Sequence, residues 1–292
     1  MIRKRVYRWA LLVWIGVVSC RGTELVWVEL TTSGIPAEMA PFYEKTFGWT
    51  SERTGPGVRD AVVLARNGRP VAGVVFRAGE RGERPRSRWV GFFGVADLSG
   101  ASGKVAERGG RVWTEEHRGA LGTTRAVLAA DAEGAVFGLV AREGREPARG
   151  FWPVALVRDP EAATQFYRGV LGGEVRGEPR TPLFGDDFVL TAEGNDRAGV
   201  QPAGVGGGAG WLILVGVADI EAATRAARRA GGRVLREPTI DLIGGRVAVI
   251  ADPLGGVFGL YEALPVDGRG AASGGTKAGK GREVFEVEVL PR

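Results

Sequence analysis

Two segments of this chain repeat one another at fixed spacing, and that repetition limits the possible folds more than any other feature. Val95-Ala96-Asp97 opens one segment and Val217-Ala218-Asp219 opens the other, and twelve residues after each aspartate stands Gly-Gly-Arg-Val, at 109–112 and 231–234. Each segment closes on a strand-like run and a turn. Arg125 to Asp131 leads to Gly134-Ala135-Val136-Phe137-Gly138-Leu139, and Arg246 to Asp252 leads to Gly255-Gly256-Val257-Phe258-Gly259-Leu260. A second pair is offset by 124 residues: Phe42-Tyr43 with Phe47-Gly48 answers Phe166-Tyr167 with Leu171-Gly172. The chain therefore divides into modules of about 24–80, 86–143, 150–202 and 210–264.

Within each module the order is strand, helix, then strands, an α+β fold of four tandem βαβββ modules. Residues 27–30 alternate as a half-buried strand does. Asp159 before Pro160 is an N-cap followed by an N1 proline, and Ala162, Phe166 and Val170 then recur at helical spacing. Asp219 likewise caps a helix over 220–229. Pro41 falls inside the first helix and is expected to end or kink it. Residues 61–64 and 71–76 read as strands joined by the turn Asn67-Gly68.

At 292 residues the chain accommodates two ordinary domains, and 44% hydrophobic with 25% charged residues is a globular composition. The formal charge of +5 is local, because Arg3, Lys4, Arg5 and Arg8 carry four of those charges. Without residues 1–19 the chain holds 35 basic against 34 acidic residues. A nucleic-acid surface needs clustered excess charge, so that class of partner is excluded. The four basic residues precede an apolar run from Trp9 to Val18, ten residues long and too short to span a bilayer. It ends at Cys20, the single cysteine, so no intrachain disulfide forms. A small residue before a cysteine here resembles a bacterial lipobox, which implies lipidation of Cys20 and an exported, membrane-anchored protein. The alternatives are an uncleaved anchor, or an over-extended start with a cytoplasmic chain. The expected organisation is a signal peptide and lipobox over 1–20, domains over 21–145 and 146–265, and a Gly-rich linker with a strand-like tail over 266–292. Residues 283–289 alternate apart from the adjacent Val284 and Phe285, which suits either an added edge strand or an ordered tip.

The Asp-x-x-Gly-x-Val-Phe-Gly-Leu endings, the Phe-Tyr helices and the leading tryptophan strands resemble two-domain vicinal oxygen chelate proteins. That superfamily holds glyoxalase I, bleomycin-resistance proteins and extradiol dioxygenases. The resemblance spans residues 24–264 and implies two glyoxalase-like domains, with eight strands forming a cup around a ligand. It also implies a divalent metal held by His, Glu or Gln from the first and last strands of a module. Alignment on the Phe-Tyr motifs puts Trp27 and Trp152 at the first-strand ligand positions. Alignment on Phe-Gly-Leu puts Gly138 and Gly259 where the family's glutamate stands, and in the even modules the first-strand position falls near Gly91 and Ile213. None of these side chains binds a metal. The one histidine, His117, lies in a loop segment, and Glu29 and Glu262 are the carboxylates nearest the ligand positions.

Neither a metal nor another cofactor is therefore expected. Four of the eight tryptophans stand at the module starts: Trp27, Trp89, Trp152 and Trp211. Tryptophan on a strand serves core packing or a stacking ligand pocket. Glu29 lies two residues from Trp27 and shares its side of the strand; it is either a solvent-facing residue or a buried carboxylate available as a base or cation partner. Gly204-Val205-Gly206 precedes a strand instead of opening a helix, so it is no dinucleotide fingerprint. Gly274 with Gly279-Lys280 lacks the hydroxyl residue of a P-loop, and no Gly-x-Ser-x-Gly elbow serves a triad. The expectation is a small-molecule binding protein for an aromatic or apolar ligand. The alternatives are a lyase, isomerase or dioxygenase using Glu29, or a structural subunit whose cup is filled by tryptophan.

Overall fold

The computed structural model describes residues 23–54, 61–77, 87–113, 120, 125–181, 185–192, 195–203, 209–241 and 245–263. The first module runs β1 (Glu24–Thr32), α1 (Pro36–Phe47), β2 (Thr50–Arg53), β3 (Ala61–Arg66) and β4 (Arg69–Phe76). The second runs β5 (Ser87–Val95), α2 (Leu98–Glu107), β6 (Arg111–Val112), β7 (Ala126–Ala130) and β8 (Val136–Ala141). The third holds β9 (Phe151–Val157), α3 (Pro160–Leu171), β10 (Glu174–Thr181), β11 (Gly185–Ala192) and β12 (Asn195–Pro202). The fourth holds β13 (Gly210–Gly216), α4 (Ile220–Arg229), β14 (Arg233–Asp241), β15 (Gly245–Ala251) and β16 (Val257–Ala263).

Each pair of modules makes one mixed eight-stranded sheet. The orders are β2-β3-β4-β1-β5-β8-β7-β6 and β10-β11-β12-β9-β13-β16-β15-β14, the same arrangement twice. First strands of paired modules join antiparallel, β1 with β5 and β9 with β13, while each first strand lies parallel to the last strand of its own module.

Local sequence accounts for most element ends. Asp97, Asp159 and Asp219 each accept a backbone N–H three residues on, at 2.9, 3.0 and 2.8 Å. Asn67 and Gly68 both take positive φ, 52° and 74°, as a two-residue hairpin turn requires. Of the two outcomes expected from its ring, Pro41 does not end α1, which continues to Phe47. One helical hydrogen bond is lost there, but buried Met39, Ala40, Phe42 and Tyr43 anchor the helix on both sides of the proline.

The two sheets share one core. α1 packs on α4 and α2 on α3, and the apolar cluster between the sheets includes Tyr43, Trp89 and Phe137 of the first and Tyr167, Trp211 and Phe258 of the second. The repeated motifs meet here across the sheets. Tyr43 donates to Asp252 Oδ2 at 2.8 Å, and a Cβ on Gly232 would lie 2.7 Å from the Phe42 ring. In the other half, Tyr167 donates to Asp131 Oδ2 at 2.6 Å, and a Cβ on Gly110 would lie 3.0 Å from Phe166. The Phe-Tyr motif of each odd module is thus the partner of the Gly-Gly and Asp-x-x-Gly motifs in the other sheet's even module.

Candidate functional site

Strand alternation sends one set of side chains into the shared core and the other to the helix-free face of each sheet. On the first sheet that second set is Val26, Trp27, Val90, Phe92, Ala126, Leu128 and Val140, covered in part by Trp113 and Ala120. On the second it is Val154, Leu212, Leu214, Val247 and Tyr261, flanked by half-buried Trp152, Leu156, Val249 and Ala263.

Register then defines a position repeated four times. The last strand of each module carries a glycine whose partner is on that module's first strand: Gly73 with Glu29, Gly138 with Phe92, Gly199 with Val154, and Gly259 with Leu214. In three of the four the partner leans over the space a side chain on the glycine would need. A Cβ at Gly138 collides with the Phe92 ring and one at Gly259 with Leu214 Cδ2. At Gly73 it would lie 3.2 Å from Glu29 Cγ and 2.5 Å from Ala120 Cβ. Gly199 is the roomy one, with nothing nearer than 3.5 Å.

Trp27 and Glu29 share the helix-free face of the first sheet, and Trp27 Nε1 donates to Glu29 Oε1 at 3.1 Å. Glu29 is fully buried and Trp27 nearly so, which answers whether Glu29 faces solvent: it does not. Trp152 stands on the corresponding face of the second sheet, half-buried. Trp89 and Trp211 differ from the expectation of a common tryptophan-lined pocket. They project into the shared core, because each is one residue out of phase with Val90 or Leu212 on its strand. Trp89 Nε1 donates to the Tyr43 hydroxyl at 3.2 Å, and the Trp211 ring lies 5.0 Å from that of Tyr167. The same slip applies to Gly91 and Ile213. A Cβ at Gly91 would lie 3.3 Å from Ile213 Cδ1, so both face the core, and Val90 and Leu212 take the helix-free side instead. Phe92 and Leu214, the side chains that fill these faces, were not singled out from sequence. Their role depends on pairing with Gly138 and Gly259, and no local pattern reveals a parallel register.

Burial and the neighbouring carboxylates push both core tyrosines well above the ordinary phenol range, with desolvation the larger cause. Their partners are held by backbone donors as well. Asp252 Oδ1 accepts from the N–H groups of Leu254 and Gly256, each at 2.8 Å, and the Ser87 hydroxyl also reaches Asp252. Asp131 Oδ1 accepts from Glu133 and Ala135 at 3.0 and 2.8 Å. Glu262, a second candidate carboxylate, accepts from Ile220 N at 3.3 Å and lies 3.5 Å from Arg246, at the start of α4. Cys20, His117 and the 266–292 tail lie outside the described residues.

A divalent metal of the kind the fold implies does not fit these residues. The positions that would ligate it are Trp27, Val90, Gly73 and Gly138 in one sheet and Trp152, Leu212, Gly199 and Gly259 in the other, without one donor of the required class. Among the described residues no three His, Cys, Asp or Glu side chains are grouped to hold an ion. Also among them, no helix is long and apolar enough to cross a membrane.

Known proteins resemble the chain both in sequence and in fold. It is 28% identical over 253 residues to CFP32 of Mycobacterium tuberculosis, a protein named as a glyoxylase, across 82% of this chain and 94% of that one. The protein of the same name from Mycobacterium bovis matches equally. The 2,2',3-trihydroxybiphenyl 1,2-dioxygenase of Sphingomonas wittichii superposes with a TM-score of 0.57 at 16% identity, over 83% of this chain and 91% of that one. The Mn(II)-bound glyoxalase of Novosphingobium aromaticivorans gives 0.58 at 15% identity, over 84% and 83%. Residues 151–258, which span most of the second eight-stranded sheet, match the Glyoxalase/Bleomycin resistance protein/Dioxygenase superfamily, and the first sheet repeats the same strand order.

Proposed function

We propose that the chain binds a small aromatic or apolar molecule without the superfamily's metal, and that the second sheet supplies the site. The observation that carries this reading is the contrast at the repeated glycines. Phe92 and Leu214 fill two of the four positions, whereas Gly199 keeps space beside Trp152. Ligand pockets are mostly apolar with few polar groups, and a half-buried indole offers a stacking surface. Glu29 takes no part in this site: it orients Trp27 inside a filled face. The protein works at a membrane surface through a lipid on Cys20, and nucleic acid is not a partner.

The test joins metal analysis of the purified chain to tryptophan fluorescence titration with aromatic metabolites. Binding that persists after chelation and is lost in Trp152→Ala supports the reading. Stoichiometric metal after mild purification overturns it. Radiolabelled palmitate should enter the wild type and not Cys20→Ala.

A second reading has its own support. The relatives include proteins named as a glyoxylase and a dioxygenase, and Glu29 is a fully buried carboxylate on the helix-free face. An enzyme would use Glu29 as its base, and turnover of any substrate found should then fall in Glu29→Gln while binding persists.

A further inference from the structure

The helix-free face of the second sheet carries a buried amide that the fold leaves without a partner. Val200 of β12 projects into the shared core, so its neighbours on either side, Gly199 and Gln201, face the other way. Gln201 is 7% exposed, and among the described residues its amide makes no hydrogen bond. Nor are its atoms among those sealed from solvent without a partner, so a molecule seated on the face can reach them.

The repeat marks this residue as an exception. Two positions past the last-strand glycine, the other three modules carry Val75, Val140 and Tyr261, all buried. Burying an amide without a hydrogen bond costs stability. Valine satisfies the same strand position in two modules, so the fold itself has no need of a polar group there.

Register sets the amide beside the open part of the face. Gln201 pairs with Leu156 on β9, and Leu156 pairs in turn with Gly210 on β13, where a Cβ would meet no described atom within 4 Å. Gly199 lies about 7 Å from Gln201 along β12, at about 3.3 Å per residue. Trp152 Nε1 is 3.6 Å from the place of a Cβ on Gly199. The space over Gly199 therefore has an indole at one side and a carboxamide further along the strand.

We propose that Gln201 selects the ligand of this face, and that the ligand is a neutral planar aromatic with an adjacent hydrogen-bond donor and acceptor, as in a ring lactam or an aryl carboxamide. This rests on the site proposed above beside Trp152. The glutamine amide offers an acceptor oxygen and an N–H donor side by side, and a lactam edge satisfies both at once. Val154, Leu156 and Leu212 on the same face are apolar, so a charged group seated among them would lose hydration without return.

Equilibrium dialysis of the full chain against carbostyril, N-methylcarbostyril and naphthalene tests it. Carbostyril should bind about tenfold more tightly than its N-methyl derivative, which keeps the rings and loses the donor. Gln201→Met keeps the volume and removes the amide. In that variant carbostyril should weaken about tenfold and the two lactams should bind alike, while naphthalene binds as before or more tightly. The Tm of the ligand-free variant should hold or rise, since an unpartnered buried amide has gone. Gln201→Leu repeats the measurement should the methionine variant fail to fold. Unchanged discrimination in a folded variant, or a marked fall in its Tm, overturns the proposal. If naphthalene binds and is lost in Trp152→Ala while carbostyril has no advantage, the site beside Trp152 stands and selection by Gln201 falls. If no probe binds, both fall.

Discussion

The helix-free faces of the two sheets descend from one pattern and are used differently. On the first sheet Trp27, Glu29, Val90 and Phe92 are all buried, with Trp27 hydrogen-bonded to Glu29 and Ala120 close over Gly73. On the second sheet the equivalent strands carry Trp152, Val154, Leu212 and Leu214, and the face keeps half-buried residues at its margins. The first face is packed like a core, and the second retains surface that a ligand can reach. A repeat therefore conserves where a side chain points, while residue size decides whether the space beneath it stays open.

The largest effect that tests this contrast comes from truncation. Phe92→Ala should cost about 4 kcal/mol and Leu214→Ala about 3 kcal/mol by urea denaturation. Each also leaves a cavity over its glycine. Equal, small losses at both positions would break the view that these side chains are packed plugs.

Restoring a family-like side chain comes next. Gly138→Glu must displace the Phe92 ring and should destabilise by about 3 kcal/mol without creating metal affinity. Retained stability with tight binding of Mn(II) or Zn(II) in calorimetry would show that the face is more adaptable than its packing implies.

The inter-sheet tyrosines give a smaller effect. Asp252 keeps Ser87 and two backbone donors when Tyr43 loses its hydroxyl, but the buried Trp89 Nε1 then loses its acceptor; Asp131 keeps two backbone donors among its described partners when Tyr167 is changed. Tyr43→Phe and Tyr167→Phe should each cost about 2 kcal/mol. Both phenols titrate above their unfolded value, so their stabilisation is complete below about pH 10, the unfolded phenol pKa. Above it the unfolded chain releases protons that the folded chain retains, and stability falls as pH rises toward the folded value. Urea denaturation from pH 8 to 11 should show this fall, and each phenylalanine variant should flatten it.

The smallest effect is at Gly199. A Cβ there meets only ordinary contacts, so Gly199→Ala should change stability by no more than about 0.5 kcal/mol. It should nonetheless alter ligand affinity, since it narrows the space beside Trp152.

Much of this architecture was legible in the sequence. The doubled motifs identified four modules, the aspartate caps Asp159 and Asp219 marked two helix starts, and Asn67-Gly68 marked a hairpin. Those are local signals, since a cap or a two-residue turn is satisfied within a few residues. The shared side of Trp27 and Glu29 followed from a period of two. The candidate site was less legible. Trp89 and Trp211 occupy module starts like Trp27, yet a one-residue phase difference turns them into the shared core. Pro41 does not end its helix, because packing on both sides of it outweighs one missing hydrogen bond.

By itself, the sequence determined the number of modules and the order of their elements, both of which depend on residue identity and near-neighbour spacing. Only the tertiary structure decided that the motifs defining the repeat are partners across the sheets, Tyr43 with Asp252 and Tyr167 with Asp131. It also decided which face is filled. Both outcomes depend on strand register and on contacts between residues more than thirty positions apart, where the hydrogen bond and the van der Waals radius act but sequence periodicity carries no information.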